Sequence, residues 1–269
     1  MCRSLYLFVL TFVLVLPASG QTALRGPRSA ALAGATSALS GDVYGEVNPA
    51  AWAQAEEFGL LLHAAQLYGL RELRFAGALL ILPYRTGSAA LGGSTFGFEL
   101  YRTSTIDIGL ALRVRAGSYR HFSIGLRSRW RYVTIDRYGS TSALGLTAGL
   151  QLPVTPFITI GAAAQNAVVG GPYRSDVPRR LTVGAAFVLT PSFAAMVDVS
   201  KDVLTPVAVS TGVEISPVQV VVLRLGAGAS PPLLAGGVGL RLAGFQADVG
   251  AVHHAVLGWS PSVSVLLER

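Results

Sequence analysis

Of the 269 residues, 51% are hydrophobic and only 13% are charged, against roughly 25% charged in an average soluble domain. Basic side chains exceed acidic ones by 21 to 14, giving a net charge of +7. Only one of the basic residues, Lys201, is a lysine, and no basic run or stripe of the kind nucleic-acid binding needs is present, so a nucleic-acid partner is excluded. No apolar run after the N-terminus reaches the 18 or so residues that a membrane helix requires, which excludes a helical membrane protein.

The chain opens with Arg3, an apolar stretch from Leu5 to Leu16, and then Pro17-Ala18-Ser19-Gly20. This order reads as a secretory signal over residues 1–20 with cleavage near Gln21. The single cysteine, Cys2, leaves with it, so the exported chain carries no disulfide, thiol nucleophile or cysteine metal site.

Residues 21–56 are rich in Ala, Gly and Ser and show no alternation. Arg28 to Leu39 suits a short helix of small residues, and Asn48-Pro49 reads as a helix start with Asn48 as N-cap. Too charged for a lipid-facing strand and too apolar for a free tail, the segment is expected to fold into or beneath the rest of the chain as a plug, with Arg28 or Asp42 paired to interior charges.

From residue 57 to 269 the pattern changes to a period of two. Ile106, Ile108, Leu110, Leu112 and Val114 share one face, while Asp107, Gly109, Ala111, Arg113 and Arg115 share the other. Likewise Ile124, Leu126, Trp130 and Tyr132 oppose Gly125, Arg127, Arg129 and Arg131. Such alternation marks strands with one apolar face. Fourteen are expected, with cores near 58–67, 72–84, 89–101, 104–115, 121–136, 142–152, 156–168, 180–190, 192–200, 206–216, 217–227, 233–242, 244–254 and 258–268.

The connections alternate in length. Tight turns fall at 153–155, 190–192, 216–217 and 243–244, and mostly longer or more polar ones at 169–179, 201–205, 228–232 and 255–257. A transmembrane barrel has short periplasmic turns, longer outer loops and an even strand number. The second face is Gly, Ala, Arg and Gln, with one lysine, far from the wet face of a soluble sandwich. Tyr84, Tyr101, Phe157, Phe193, Phe245 and Trp259 near strand ends suit interfacial girdles. The expected fold is therefore an all-β, 14-stranded antiparallel transmembrane β-barrel with a small N-terminal plug, seated in outer-membrane lipid.

Residues 26–53 read GPRSAALAGATSALSGDVYGEVNPAAWA. This resembles the opening of the PorV/PorQ-like outer-membrane proteins, which belong with the FadL-like barrels. Arg28, Ser29, Ala30, Gly34, Ala35, Asp42, Tyr44, Asn48, Pro49 and Ala50 match, while Ala33 and Ala51 stand where glycine is usual. Pattern-level likeness continues at Phe96–Tyr101, Tyr138-Gly139, Gln165-Asn166 and Val177 to Arg180. The resemblance implies a fourteen-stranded barrel with its N-terminal segment tucked inside or under it. It also implies a non-enzymatic role, either partner binding in protein export with secretion-machinery or cargo proteins, or passage of a hydrophobic ligand.

Candidate chemistry is sparse. Arg113, Arg115, Arg127, Arg129 and Arg131 share the inward parity of neighbouring strands and form a candidate charge cluster with Asp107, Asp198 and Glu214. One reading is an anion-attracting wall; the other is structural pairing with interior carboxylates, since an unpaired charge in a narrow lumen is costly. His253 and His254 point to opposite faces of one strand and cannot share a metal ion; both are expected exposed at the outer rim. No Ser/His/Asp arrangement appears, and the glycine groups at 226–228 and 236–239 lack the strand-to-helix context of a phosphate loop. Catalytic residues, metal and cofactor are all expected to be absent.

Overall fold

The computed structural model describes residues 26–41, 45–117, 120–172, 177–203 and 205–269. The expected signal segment and Asp42 and Tyr44 of the N-terminal motif lie outside the described residues.

Fourteen strands come after two short helical elements: α1 (Pro27–Ala31) and a 3-10 turn (Pro49–Gln54). The strands are β1 (Gly59–Gln66), β2 (Arg74–Tyr84), β3 (Gly87–Gly97), β4 (Tyr101–Ala116), β5 (Arg120–Ile135), β6 (Gly139–Thr155) and β7 (Ile158–Gly170). They continue as β8 (Arg180–Thr190), β9 (Phe193–Asp202), β10 (Ala208–Val218), β11 (Val221–Ala229), β12 (Leu233–Leu242), β13 (Phe245–His254) and β14 (Gly258–Glu268). Each pairs antiparallel with its sequence neighbour, and β1 closes on β14 from Gly59↔Glu268 to Ala65↔Ser262. The result is a closed barrel with no free edge.

Parity decides which side chains face out. Ile106, Ile108 and Leu110 on β4 stand exposed, as do Leu126 at 64% on β5, Leu225 at 66% on β11 and Leu234 at 65% on β12. An apolar band this continuous around a closed sheet has lipid, not water, as its solvent. Tyr84, Phe157, Trp130, Tyr132 and Trp259 punctuate it on the outward face. Tyr101, expected among them, turns inward instead and lines the lumen.

The connections at the end where β1 begins and β14 finishes are short: residues 85–86, 117–119, 156–157, 191–192, 219–220 and 243–244. At the opposite end they span 67–73, 98–100, 136–138, 171–179, 203–207, 230–232 and 255–257. Two expected turns move. β6 runs through Pro153 to Thr155 and β10 runs through Ser216-Pro217 to Val218, each with a register shift at the proline. A bulge accepts the missing N–H, so proline does not end the strand there.

Residues 26–39 and 45–55 occupy the barrel interior. They touch the wall through small apolar clusters: Trp52 and Ala53 with Ile81, Ala90 and Ala111; Leu32, Ala35 and Leu39 with Ala186 and Met196; Ala30 and Ala33 with Ala235 and Val252. A belt of inward glycines makes room. A Cβ on Gly109 would enter the Trp52 ring, one on Gly125 or Gly149 would strike Pro49 or Asn48, and one on Gly161 would strike the Ser37 carbonyl. Across the barrel, a Cβ on Gly226 would stand 2.6 Å from the Leu32 carbonyl carbon, and Gly212, Gly237 and Gly250 meet Leu32, Ala31 and Pro27. Glycine in a strand commonly marks such close approach. Here it sets the height at which the barrel is filled.

Candidate functional site, a lumen cavity above the plug

Above that level the lumen is open as a cavity of about 510 Å³. Gly34, Glu46, Val47 and Trp52 of the N-terminal segment form its floor. One wall is apolar: Leu61 of β1, Phe75 and Leu79 of β2, Phe96 of β3, and Leu67 and Leu73 from the connection between β1 and β2. His63 packs edge-on against Phe75 at 4.9 Å within this wall. The facing wall is ionic, carrying Asp107 of β4, Arg127, Arg129 and Arg131 of β5, Gln165 of β7 and Arg180 of β8.

The ionic wall is built by register. Asp107 lies directly across from Arg129, which grips both its oxygens from Nε at 2.7 Å and Nη2 at 3.0 Å. Two-point guanidinium–carboxylate contact fixes geometry as well as charge. Arg127 approaches the same carboxylate at 3.9 Å but donates instead to the Gly45 and Glu46 carbonyls at 3.2 and 3.0 Å. Gln165 donates to the Glu46 and Val47 carbonyls, and the Glu46 carboxylate accepts from the Gly26 N–H at 2.8 and 2.9 Å. One face of the cavity therefore doubles as the clamp on its floor.

Asp198 also borders the cavity, and the other candidate charges fall elsewhere. Asp198 accepts from the N–H and hydroxyl of Ser37 at 3.0 and 2.7 Å. Glu214 accepts from Arg28, Arg224 and Arg241, and Arg224 also reaches Asp248 at 2.5 Å. Arg113 lies beneath the plug, donating to the Ala53 carbonyl at 3.4 Å and lining a smaller pocket beside the β2–β3 turn. Arg115 is exposed at the end of β4, across from His121. The eight candidates thus divide among a cavity wall, two plug anchors and the short-turn rim, because a strand of sixteen residues spans more than one level of the barrel.

Of the motif residues, Arg28 anchors the plug to Glu214 and Gly34 lies in the cavity floor. Asn48 accepts from the Ala50 N–H at 3.0 Å and caps the 3-10 turn that Pro49 begins. Its amide also donates to the Ser37 and Leu150 carbonyls.

Several anchors escape sequence reasoning. Arg224 does so because placing the β10–β11 turn at 216–217 sets Glu214 against Gln219; the true turn at 219–220 sets it against Arg224. Gln151 and Ser88, which bond plug carbonyls, carry no sequence signal beyond inward parity. His254, expected exposed, is 2% exposed, and its Nδ1 accepts from the Val256 and Leu257 N–H groups. Among the described residues no group of three His, Cys, Asp or Glu is placed to hold a metal ion.

No protein-family model matches the sequence, and no curated protein matches it. Solved structures match its fold. The CymD monoaromatic hydrocarbon channel aligns over 91% of this chain and 97% of its own, with 15% identity and a TM-score of 0.66. The toluene transporter TodX of Pseudomonas putida aligns over 93% and 98%, with 12% identity and a TM-score of 0.65. A FadL homologue of Pseudomonas aeruginosa aligns over 92% and 99%, with 10% identity and a TM-score of 0.62. At such identities the likeness is one of architecture: the chain has the closed, fourteen-stranded antiparallel fold of the FadL-like barrels.

Proposed function

We propose that this is a non-enzymatic outer-membrane channel of FadL-like type that admits a hydrophobic small molecule to the cavity above its plug. The observation that carries the reading is the apolar wall formed by Leu61, Leu67, Leu73, Phe75, Leu79 and Phe96 inside a barrel closed below. Apolar surface facing a lumen is poorly served by water and gains from an apolar ligand. Solved structures of this fold bear the descriptions of a monoaromatic hydrocarbon channel and a toluene transporter, which supports the same class of cargo by analogy of fold. The cavity touches the barrel wall at Ala78, Gly92 and Gly93, where the side chains are smallest; this is the thinnest place for exit toward lipid. On this reading residues 1–20 direct export and are removed.

The competing reading is the export-partner role that the PorV/PorQ-like N-terminus implies. In this chain the motif residues Arg28, Gly34, Asn48 and Pro49 are engaged inside the barrel, where they meet the wall rather than a partner, so small-molecule passage is preferred.

Trp52 sits at the cavity floor and supplies the test. With Trp130 and Trp259 changed to Phe, the protein in nanodiscs is titrated with ethylbenzene while Trp52 emission is followed. A saturable change, abolished by Leu79→Arg, is expected. A response that is linear in ligand and identical in the variant is partition into lipid and sinks the reading.

A further inference from the structure

We propose that the outer face of β2–β4, at the rim carrying the longer connections, holds an anionic membrane lipid whose headgroup ends in its phosphate, with that phosphate between Arg74 and Arg102 and an acyl chain running down β3. Three observations carry this. First, register places the two arginines on one outward row: Gln66↔Arg74 on β1–β2 and Gly97↔Arg102 on β3–β4, with Phe75↔Phe96 setting Arg74 one step from Phe96 beside Gly97. Their inward neighbours Phe75 and Thr103 are buried, so both guanidinium groups leave from the lipid side. Two strand spacings, about 10 Å, separate their backbones, and Gly97 between them has no side chain. Gly97 is glycine because its φ is +106° and a Cβ would strike the Tyr101 carbonyl; the gap between the arginines is a consequence of the turn.

Second, Arg71, Arg74 and Arg102 are exposed, and none makes a side-chain hydrogen bond or ion pair among the described residues. The acidic residues of this sector, Glu72 and Glu99, are also exposed and bond to none of them. On β12–β14 the outward rim presents Leu234, His253 and Trp259 instead, so no comparable pair of cations stands there among the described residues.

Third, the outward face below the arginines is shallow. Ala76↔Thr95 and Ala78↔Gly93 succeed one another down β2 and β3, between the larger Leu62 on β1 and Ile106 on β4. A trough of this kind, continuous with the apolar band and topped by two arginines, is complementary to a lipid with one phosphate and extended chains. Arginine at such a rim meets headgroup phosphate with its planar fork of donors. A soluble phosphate has no use for the trough.

Native mass spectrometry of the purified full chain, titrated with phosphatidic acid or with phosphatidylcholine of the same chains, tests the proposal. Wild type is expected to retain phosphatidic acid preferentially. The preference should fall roughly fivefold for each arginine changed to Gln and roughly thirtyfold for the Arg74→Gln/Arg102→Gln pair. Arg137→Gln, an exposed arginine on the same rim already paired to Asp136, should leave it unchanged. Gly93→Leu should lower retention of both lipids by filling the trough. Heat-modifiable gel migration, kept by every variant, certifies folding. Equal retention of the two lipids by wild type, an unaltered preference in the double variant, or full displacement by inorganic phosphate each overturns the proposal.

Discussion

Arg28 and Glu214 stand 186 positions apart in sequence and are joined inside the barrel by two hydrogen bonds, at 3.1 and 3.2 Å. Glu214 also accepts from Arg224 at 2.8 Å and Arg241 at 3.0 Å, so one carboxylate ties the plug to β10, β11 and β12. Neutralising it with Glu214→Gln leaves three guanidinium groups around an amide. Breaking a buried pair from one side costs about 3–5 kcal/mol. The expected result is a lower urea midpoint and protease cleavage within residues 26–41. Unchanged stability in both Glu214→Gln and Arg28→Ala would show that the pair carries no share of plug retention.

The glycine belt makes a sharper demand. Gly125→Val and Gly226→Leu each place carbon atoms where plug backbone already lies. Overpacking of this kind cannot relax through a side-chain rotation, because the obstructing atoms are main chain. Both variants are expected to insert as barrels yet expel or shift the plug, seen as larger single-channel conductance in planar bilayers. Gly170→Ala, with nothing within 4 Å of its Cβ, should conduct like wild type. Equal conductance in all three refutes the close-approach account.

Asn48 performs two tasks with one amide. Losing the cap alone costs about 0.5–2 kcal/mol, and Asn48→Ala also strands the Ser37 and Leu150 carbonyls that its Nδ2 serves. Asn48→Asp keeps an acceptor for the Ala50 N–H but turns a carboxylate toward those carbonyls. Thermal melts should therefore rank wild type above Ala and Ala above Asp. A ranking with Asp nearest wild type would make the cap the whole contribution. Deleting residues 22–56 outright should leave a barrel that inserts and passes more ions.

On the lipid face, Leu126→Arg should impair insertion and stability by roughly 2–4 kcal/mol if it lies near the bilayer midplane. Ser94→Arg, directed into the cavity, should be tolerated. Equal cost at both sites would reverse the parity on which the fold rests.

That comparison also shows where sequence reading stops. Alternation separates Leu110 from Ala111 without ambiguity, but both lumen and plug contacts look alike from the strand. Ala111 is 0% exposed and packs against the Trp52 cluster, whereas Ser94 one strand away borders open space. Strand number and facing come from a local period of two, which every strand repeats. Depth does not, because it depends on register, and register depends on which residues make each turn. A three-residue displacement of one turn, tolerated by a bulge at Pro217, is enough to hide the Glu214–Arg224 pair. His254 departs from expectation because it continues the inward parity of Asp248, Gly250 and Val252, with Tyr68 of the β1–β2 connection set edge-on to its ring at 6.3 Å.

The glycine belt also bears on how the molecule is put together. Gly125↔Gly149, Gly161↔Gly184, Gly212↔Gly226 and Gly237↔Gly250 are directly opposed in register, so at these four places neighbouring strands have no inner side chains with which to recognise each other. Cross-strand side-chain pairs are what ordinarily stabilise a sheet; here the plug supplies the inner partner to both strands at once. The plug precedes β1 in the chain, while the seam that closes the wall joins β1 to β14, the last strand made. The described plug residues therefore stand as the missing inner partner of these strand pairs, and plug packing and barrel register support each other. A weakened plug contact should then loosen strand register at these glycines in barrels that still insert, alongside the leak through them.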